Sequence, residues 1–313
     1  MRKITYSAPG KVILSGEHAV VYGKPALVCA IDKRLTLTLI EAETTRYTDT
    51  VMPIVERTVR EFLKQRKEEI KKGGYTYTIS STIPMGRGLG SSAAYSATIA
   101  AGLLELFTGR EWSIPEINIC AYKIEKYFHK NSSGVDTSTS VMGGLIYYRK
   151  EFEFLKTISS LSVKIPKRFT DMLLLIDTGK PVESTGDMVQ QVGSLFNAHP
   201  TKVEGLLNEV EKITKRFVVS LMKEDSVLFQ KSIQENEKAL EKLGVVSPST
   251  ILLLKKLKKI GVGKVTGGGG KTKSSGYVLF ATDAKKEVEP ILEKEGLIHT
   301  SLVPSYIGLK KEL

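Results

Sequence analysis

The chain has 313 residues, 41% of them hydrophobic and 26% charged. That composition excludes fibrous and disordered classes and supplies enough apolar material for two units. Its net charge of +12 comes from 46 Lys and Arg against 34 Asp and Glu, a balance that suits a polyanion or a small, strongly anionic substrate. The basic residues are dispersed and no aromatic-interleaved basic stripe accompanies them, so nucleic acid is not an expected partner. No apolar run reaches the ~18–20 residues of a membrane span. The opening Met1-Arg2-Lys3 runs into Pro9 and Gly10 without a signal-peptide core, so the expectation is a cytoplasmic protein with no membrane contact. Cys29 and Cys120 sit in apolar surroundings and read as buried thiols, and the four His and two Cys show no zinc-type spacing.

In chain order, Leu35, Leu37 and Leu39 alternate with polar or smaller neighbours, the period of a half-buried strand. Val55, Val59, Phe62 and Leu63 then form one stripe of a helix, with the Lys64–Lys72 run assigned to a helical face. Tyr75, Tyr77 and Ile79 make a second strand after the Gly73-Gly74 turn. Residues 91–107, dense in Ala, Leu and Ile, predict a buried helix. Ile117, Ala121, Ile124 and Phe128 share the face of another, with Pro115 in its first turn. Short strands at 145–148 and 161–165 close a first unit, 1–168, and a second runs over 169–313. The second opens with a strand at 172–176, followed by long helices marked by Leu206, Val210, Ile213 and Phe217 and by Val227, Ile233 and Leu240. Ser247-Pro248 starts a further helix leading to Lys259. After it come a strand at 264–266, a glycine-rich loop, a strand at 277–280, a helix near 284–294 and terminal strands. The alternation of strands and helices predicts an α/β or α+β architecture.

The strongest local signal is Pro84-Met85-Gly86-Arg87-Gly88-Leu89-Gly90-Ser91-Ser92, set between a strand and the buried helix. Alternating glycines permit close backbone approach. The two serines stand where unpaired N–H groups and the positive end of the helix dipole would receive a phosphate. A plain glycine turn with a serine cap is the simpler reading, but one cap does not need three glycines and a serine pair. A P-loop would need glycine at Val265, and evenly spaced Gly86, Gly88 and Gly90 do not fit a dinucleotide fingerprint. A second loop, Thr266 to Gly276, carries four consecutive glycines from Gly267 to Gly270. It reads as a close approach to a ligand or to the other unit, with Lys271 and Lys273 as phosphate-facing or merely solvated charges. Lys11, Glu17 and His18 form a polar set in an apolar run, and Asp136 follows the helix that bears Glu125. A carboxylate beside a lysine is a minimum for activating an alcohol toward phosphoryl transfer, and Glu125 with Asp136 could share a magnesium ion.

Three segments together, PGKVILSGEHAVVYGKPAL, PMGRGLGSSAAYS and KVTGGGG, resemble the GHMP kinases and, among them, the mevalonate kinases. SSGVDTSTSVMGG is similar to the segment that carries that family's catalytic aspartate. The motifs run from residue 8 to 276. The resemblance implies a two-domain α+β fold, with an N-terminal ATP, magnesium and catalytic domain like ribosomal protein S5 domain 2. A ferredoxin-like C-terminal domain would close the cleft. It also implies ATP and Mg2+ as cofactors and transfer of the γ-phosphoryl group to the C5 hydroxyl of (R)-mevalonate, in isoprenoid biosynthesis. Carried over residue by residue, Asp136 resembles the base and Lys11 its partner, while Ser91, Ser92 and Glu125 resemble the magnesium ligands. Residues Pro84 to Ser92 resemble the phosphate loop, Glu17 and His18 resemble the acceptor pocket, Gly268 is carried over as substrate-binding, and Thr185, by a loose match, resembles a threonine near the transferred phosphate. Members are often homodimers, which leaves that assembly open here. The third motif departs from the family's G-A-G-G-G-G by Gly268, with Lys271 and Lys273 beyond it, and Arg87 adds charge at the first loop. Those cations keep a phosphomevalonate kinase, or another small-molecule kinase for homoserine or a sugar, as the alternative. An RNA-binding protein built on the S5-like domain is a distant one.

Overall fold

Two long strands, β1 (Lys3–Ser15) and β2 (Ala26–Ala42), run antiparallel and form the spine of the first unit. The computed structural model describes residues 2–130 and 132–312. Leu35, Leu37 and Leu39 alternate on β2 as expected and face the core, while their neighbours are partly solvated. β2 is long enough to serve two neighbours on one side. Its Leu35–Ala42 half pairs with β3 (Gly74–Ser81), and its Ala26–Cys29 end pairs with β4 (Leu145–Lys150), which continues to β5 (Lys156–Leu161). β10 (Lys310–Glu312), the last strand of the chain, returns to pair with Thr5–Ser7 of β1.

Four helices complete this unit: α1 (Met52–Gln65), α2 (Ser91–Thr108), α3 (Ile114–Phe128) and α4 (Val135–Met142). α2 is buried nearly throughout because its sequence is rich in Ala and Gly. A Cβ at Gly102 would lie 2.8 Å from Leu39, so the small residues let this helix lie directly on the sheet. α3 is started by a capping box between Ser113 and Glu116, and its Ile117, Ala121 and Ile124 stripe is buried as expected.

The second unit is a four-stranded antiparallel sheet in the order β7 (Val262–Val265), β8 (Tyr277–Ala281), β6 (Leu173–Asp177), β9 (Ile298–Ser301). Helices α5 (Lys167–Met172), α6 (Thr185–Ala198), α7 (Pro200–Met222), α8 (Ser226–Lys242), α9 (Pro248–Leu257) and α10 (Lys285–Lys294) accompany it. In chain order the strands and crossovers give the split βαβ pattern of a ferredoxin-like domain. Phe169 stacks on Phe229 at 4.5 Å, Phe217 meets Phe229 edge-on, and the apolar core runs continuously from the first sheet to the second.

Several expectations shift. The strand expected at 161–165 lies at Lys156–Leu161, because the pairing with β4 runs from Leu145↔Leu161 to Lys150↔Lys156. α4 and α6 are additional: both are polar at their starts and too short or mixed to show an apolar stripe. The Lys64–Lys72 run leaves the helix after Gln65, and Lys67 adopts a positive φ of 58°. Lys258 and Lys259 follow the end of α9. Among the described residues no helix is long and apolar enough to cross a membrane. Cys29 and Cys120 are buried free thiols.

Candidate active site

The first glycine loop leads directly into α2, with Gly90 at φ 79° before Ser91. A Cβ on Gly90 would stand 2.7 Å from Cγ of Lys11, so glycine is what lets the lysine pass beneath the helix start. The Lys11 N–H donates to the Leu89 carbonyl at 2.9 Å, which fixes the loop on β1. Lys11 is only 2% exposed. Its Nζ lies 3.0 Å from Oδ2 of Asp136, in the first turn of α4. The other oxygen of that carboxylate, Oδ1, is buried and has no hydrogen-bond partner among the described residues.

Glu125, near the end of α3, accepts from Ser92 Oγ at 2.9 Å and from Ser96 Oγ at 3.0 Å. Burial, reinforced by the charge of Asp136, pushes its carboxyl up to about 7. His129 stands beside the pair, 3.4 Å from Ser92 Oγ, and burial pulls its imidazole below the usual range.

The second unit supplies the opposite wall. Its four-glycine loop joins β7 to β8, and the two glycine loops touch. A Cβ on Gly88 would come within 2.9 Å of the Thr266 carbonyl. Arg87 forms an ion pair with Asp177 at the end of β6. Gly268 lies against Thr185, the first residue of α6, which a Ser184–Asp187 capping box starts. His18 has a φ of 60°, and its Nε2 lies 3.1 Å from the Gly268 carbonyl. Burial pulls its imidazole down to about 4, so the ring is neutral at pH 7. The carbonyl accepts, so Nε2 carries the proton and Nδ1, buried without a partner, is an open acceptor.

One cavity of about 570 Å³ takes in Lys11, His18, Gly86 to Gly88, Gly90 to Ser92, Glu125, Asp136, Thr185 and Gly268. Three residues of the expected phosphate loop fall outside its lining. Met85 is 79% exposed, Leu89 is buried in the apolar core, and Pro84 belongs to the loop's outer approach. Glu17 lines the cavity, but its carboxylate is engaged in an ion pair with Lys264, both side chains being fully buried. Burial pushes that carboxyl upward and the Lys264 ammonium opposes the shift. Lys264 is a residue that sequence reasoning missed. A single lysine inside the short apolar strand before the glycines was the available signal. Lys180 and Ser133 also line the cavity unanticipated. Lys271 and Lys273 are exposed and absent from the lining. Among the described residues no cluster of three His, Cys, Asp or Glu side chains is placed to hold a metal alone.

Residues 53–144 match the family described as GHMP kinases N terminal domain. The mevalonate kinase of Schizosaccharomyces pombe is 30% identical over 95% of this chain and 87% of its own length. Among solved structures, the Lin0012 protein of Listeria innocua is similar with a TM-score of 0.83 at 22% identity, over 99% of both chains. The phosphomevalonate kinase of Streptococcus pneumoniae is similar with a TM-score of 0.77 at 17% identity, over 100% of both chains.

Proposed function

Since the chain belongs to the GHMP kinases and, within them, to the mevalonate kinase family, we propose that it transfers the γ-phosphoryl group of ATP to the C5 hydroxyl of (R)-mevalonate, giving 5-phosphomevalonate and ADP. The observation that carries this reading is the Lys11–Asp136 pair, 3.0 Å apart and facing the serine-bearing start of α2 across one cavity.

In this mechanism Oδ1 of Asp136, which has no other partner, accepts the proton of the acceptor hydroxyl, and the Lys11 ammonium favours the developing alkoxide. The alkoxide oxygen bonds to the γ-phosphorus, the bond from that phosphorus to the bridging oxygen breaks, and ADP leaves with the electron pair. Backbone N–H groups at the start of α2 and the Ser91 hydroxyl hold the phosphates, so catalysis rests on alignment and preorganised charge. Neutral His18 offers Nδ1 as an acceptor for a substrate hydroxyl, with Thr185 and Gly268 closing the acceptor side.

Magnesium fits at Glu125 and Ser92. A buried carboxyl pushed to about 7 beside a second carboxylate is a place where a cation relieves repulsion. Bound there, the ion would neutralise charge on the nucleotide phosphates. Ser92 rather than Ser91 is the serine in contact with Glu125. In this reading residues 1–168 form the nucleotide and catalytic unit, residues 169–313 close the cleft, and β10 is lent back to the first sheet. A cytoplasmic setting agrees with two cysteines kept as buried thiols.

The shared fold does not choose between mevalonate and its phosphorylated form; the engagement or distance of the anticipated cations supports mevalonate, although Lys180 also lines the cavity. Arg87 is neutralised by Asp177, and Lys271 and Lys273 lie off the cavity, which removes the residues on which a second phosphate was expected to rest. A coupled ADP-release assay against mevalonate, phosphomevalonate, homoserine and galactose, with the phosphorylated carbon identified, tests the proposal. Turnover of mevalonate at C5 is expected, and a preference for phosphomevalonate would overturn it.

A further inference from the structure

β10 covers only Thr5 to Ser7 of β1, and past that point the outer edge of β1 has no neighbouring strand among the described residues. An unpaired strand edge leaves backbone donors and acceptors that must be satisfied elsewhere. Here the two glycine loops satisfy them, at positions two residues apart. The Lys11 N–H is taken by Leu89 of the first loop at 2.9 Å. The Ile13 N–H is taken by the Thr266 hydroxyl of the second loop at 2.9 Å, and that hydroxyl returns a hydrogen bond to the Ile13 carbonyl at 3.2 Å. Lys264, from the same strand-to-loop junction, donates to the Ile13 carbonyl at 3.2 Å, to the Val265 carbonyl at 2.7 Å, and to Glu17. Asn236 of α8 ties in from below, donating to Glu17 at 3.3 Å and accepting from Ser15 at 2.6 Å.

A buried ion pair adds little net stability over an apolar pair of the same volume, so stability alone does not account for a lysine and a glutamate with no solvent exposure. We propose that Lys264 and Thr266 are positioning residues: by clasping Ile13 and Glu17 they use the open edge of β1 as a ruler that sets the second unit's glycine loop against Lys11. The clasp acts through the backbone two residues from Lys11. It therefore fixes the spacing between the phosphate-binding wall and the acceptor wall, on which in-line transfer depends. This inference rests on the kinase reading of the cavity.

The test compares Thr266→Val, which keeps the shape and removes the hydroxyl, with Thr266→Ser, which keeps the hydroxyl. Three readouts are followed: steady-state kinetics with mevalonate, ADP affinity by calorimetry, and hydrogen exchange of the Ile13 amide. The valine variant is expected to lose ~10-fold or more in kcat, to keep ADP affinity within about threefold, and to lose Ile13 amide protection. The serine variant is expected to restore both kcat and protection. Lys264→Met should follow the valine pattern; should it not fold, the Thr266 pair decides alone. Parent-like kcat in Thr266→Val, or Ile13 protection unchanged there, would overturn the proposal. If the parent protein does not phosphorylate mevalonate, the functional reading fails by itself, and the clasp is still judged by amide exchange and ADP affinity.

Discussion

At the residue scale, the chemistry concentrates in Lys11 and Asp136, which meet at 3.0 Å although they lie 125 positions apart in the chain. Asp136→Asn keeps size and packing and removes the proton acceptor, so kcat is expected to fall by ~10³-fold or more with little change in melting temperature. A variant within tenfold of the parent would refute the assigned role. Lys11→Met should cost ~10²–10³-fold in kcat while ADP affinity, measured by calorimetry, stays near the parent value. Both residue types were visible as candidates in the sequence, but their pairing came only from the family resemblance, since no helical or strand period links positions so far apart. The Glu17 role expected from resemblance meets a different arrangement, a carboxylate already occupied by Lys264.

Glu237 of α8 lies behind that pair, accepting from the Val265 N–H at 2.8 Å with its other oxygen unpartnered. Burial pushes its carboxyl from 4.5 up to about 8. Lys264 counteracts the shift, while Glu241 and Glu17 add to it. The folded protein therefore holds a proton that the unfolded chain releases. The associated stability is present below pH 4.5 and is lost as pH rises toward 8, on the order of 5 kcal/mol. Glu237→Gln is expected to flatten the fall in melting temperature across that window, and an unchanged slope would show that the group is already ionised.

At the scale of elements, loop geometry decides which residues reach the cavity. Gly88 approaches the Thr266 carbonyl so closely that a Cβ would sit 2.9 Å away, and its φ is 89°. Gly88→Ala should therefore separate the loops and strain the backbone, raising the KM for ATP and lowering kcat together; parent kinetics would argue against contact between the loops. The long elements were legible because burial imposes a period: β2 and the stripes of α1, α3 and α7 lie where alternation or a helical repeat placed them. α4 escaped notice because Val-Asp-Thr-Ser-Thr-Ser-Val carries hydroxyls, not an apolar stripe. The hydroxyls of Thr137, Ser138 and Thr139 bond back to carbonyls of their own helix or its N-cap, as Ser138 does to Gly134 at 2.8 Å and Thr139 to Val135 at 2.8 Å, so a polar sequence can still be buried.

For the whole molecule, the chain's end is part of its beginning. Glu312 accepts from Ser7, and Lys311 pairs with Glu105 and Glu111 of the first unit. Deleting residues 309–313 is expected to lower the melting temperature of the entire protein by several degrees, because Leu309 and β10 leave the first core. During synthesis the same arrangement has a temporal meaning. When the ribosome has completed residue 168, the first sheet still lacks an edge that lies about 140 residues away, a gap of ~10–30 s at ordinary elongation rates. The nascent N-terminal half must wait, with that flank of β1 open, until Lys310–Glu312 has been made. Only once Lys310–Glu312 is available can that flank of the sheet be sealed, which makes closing this edge a late step in folding.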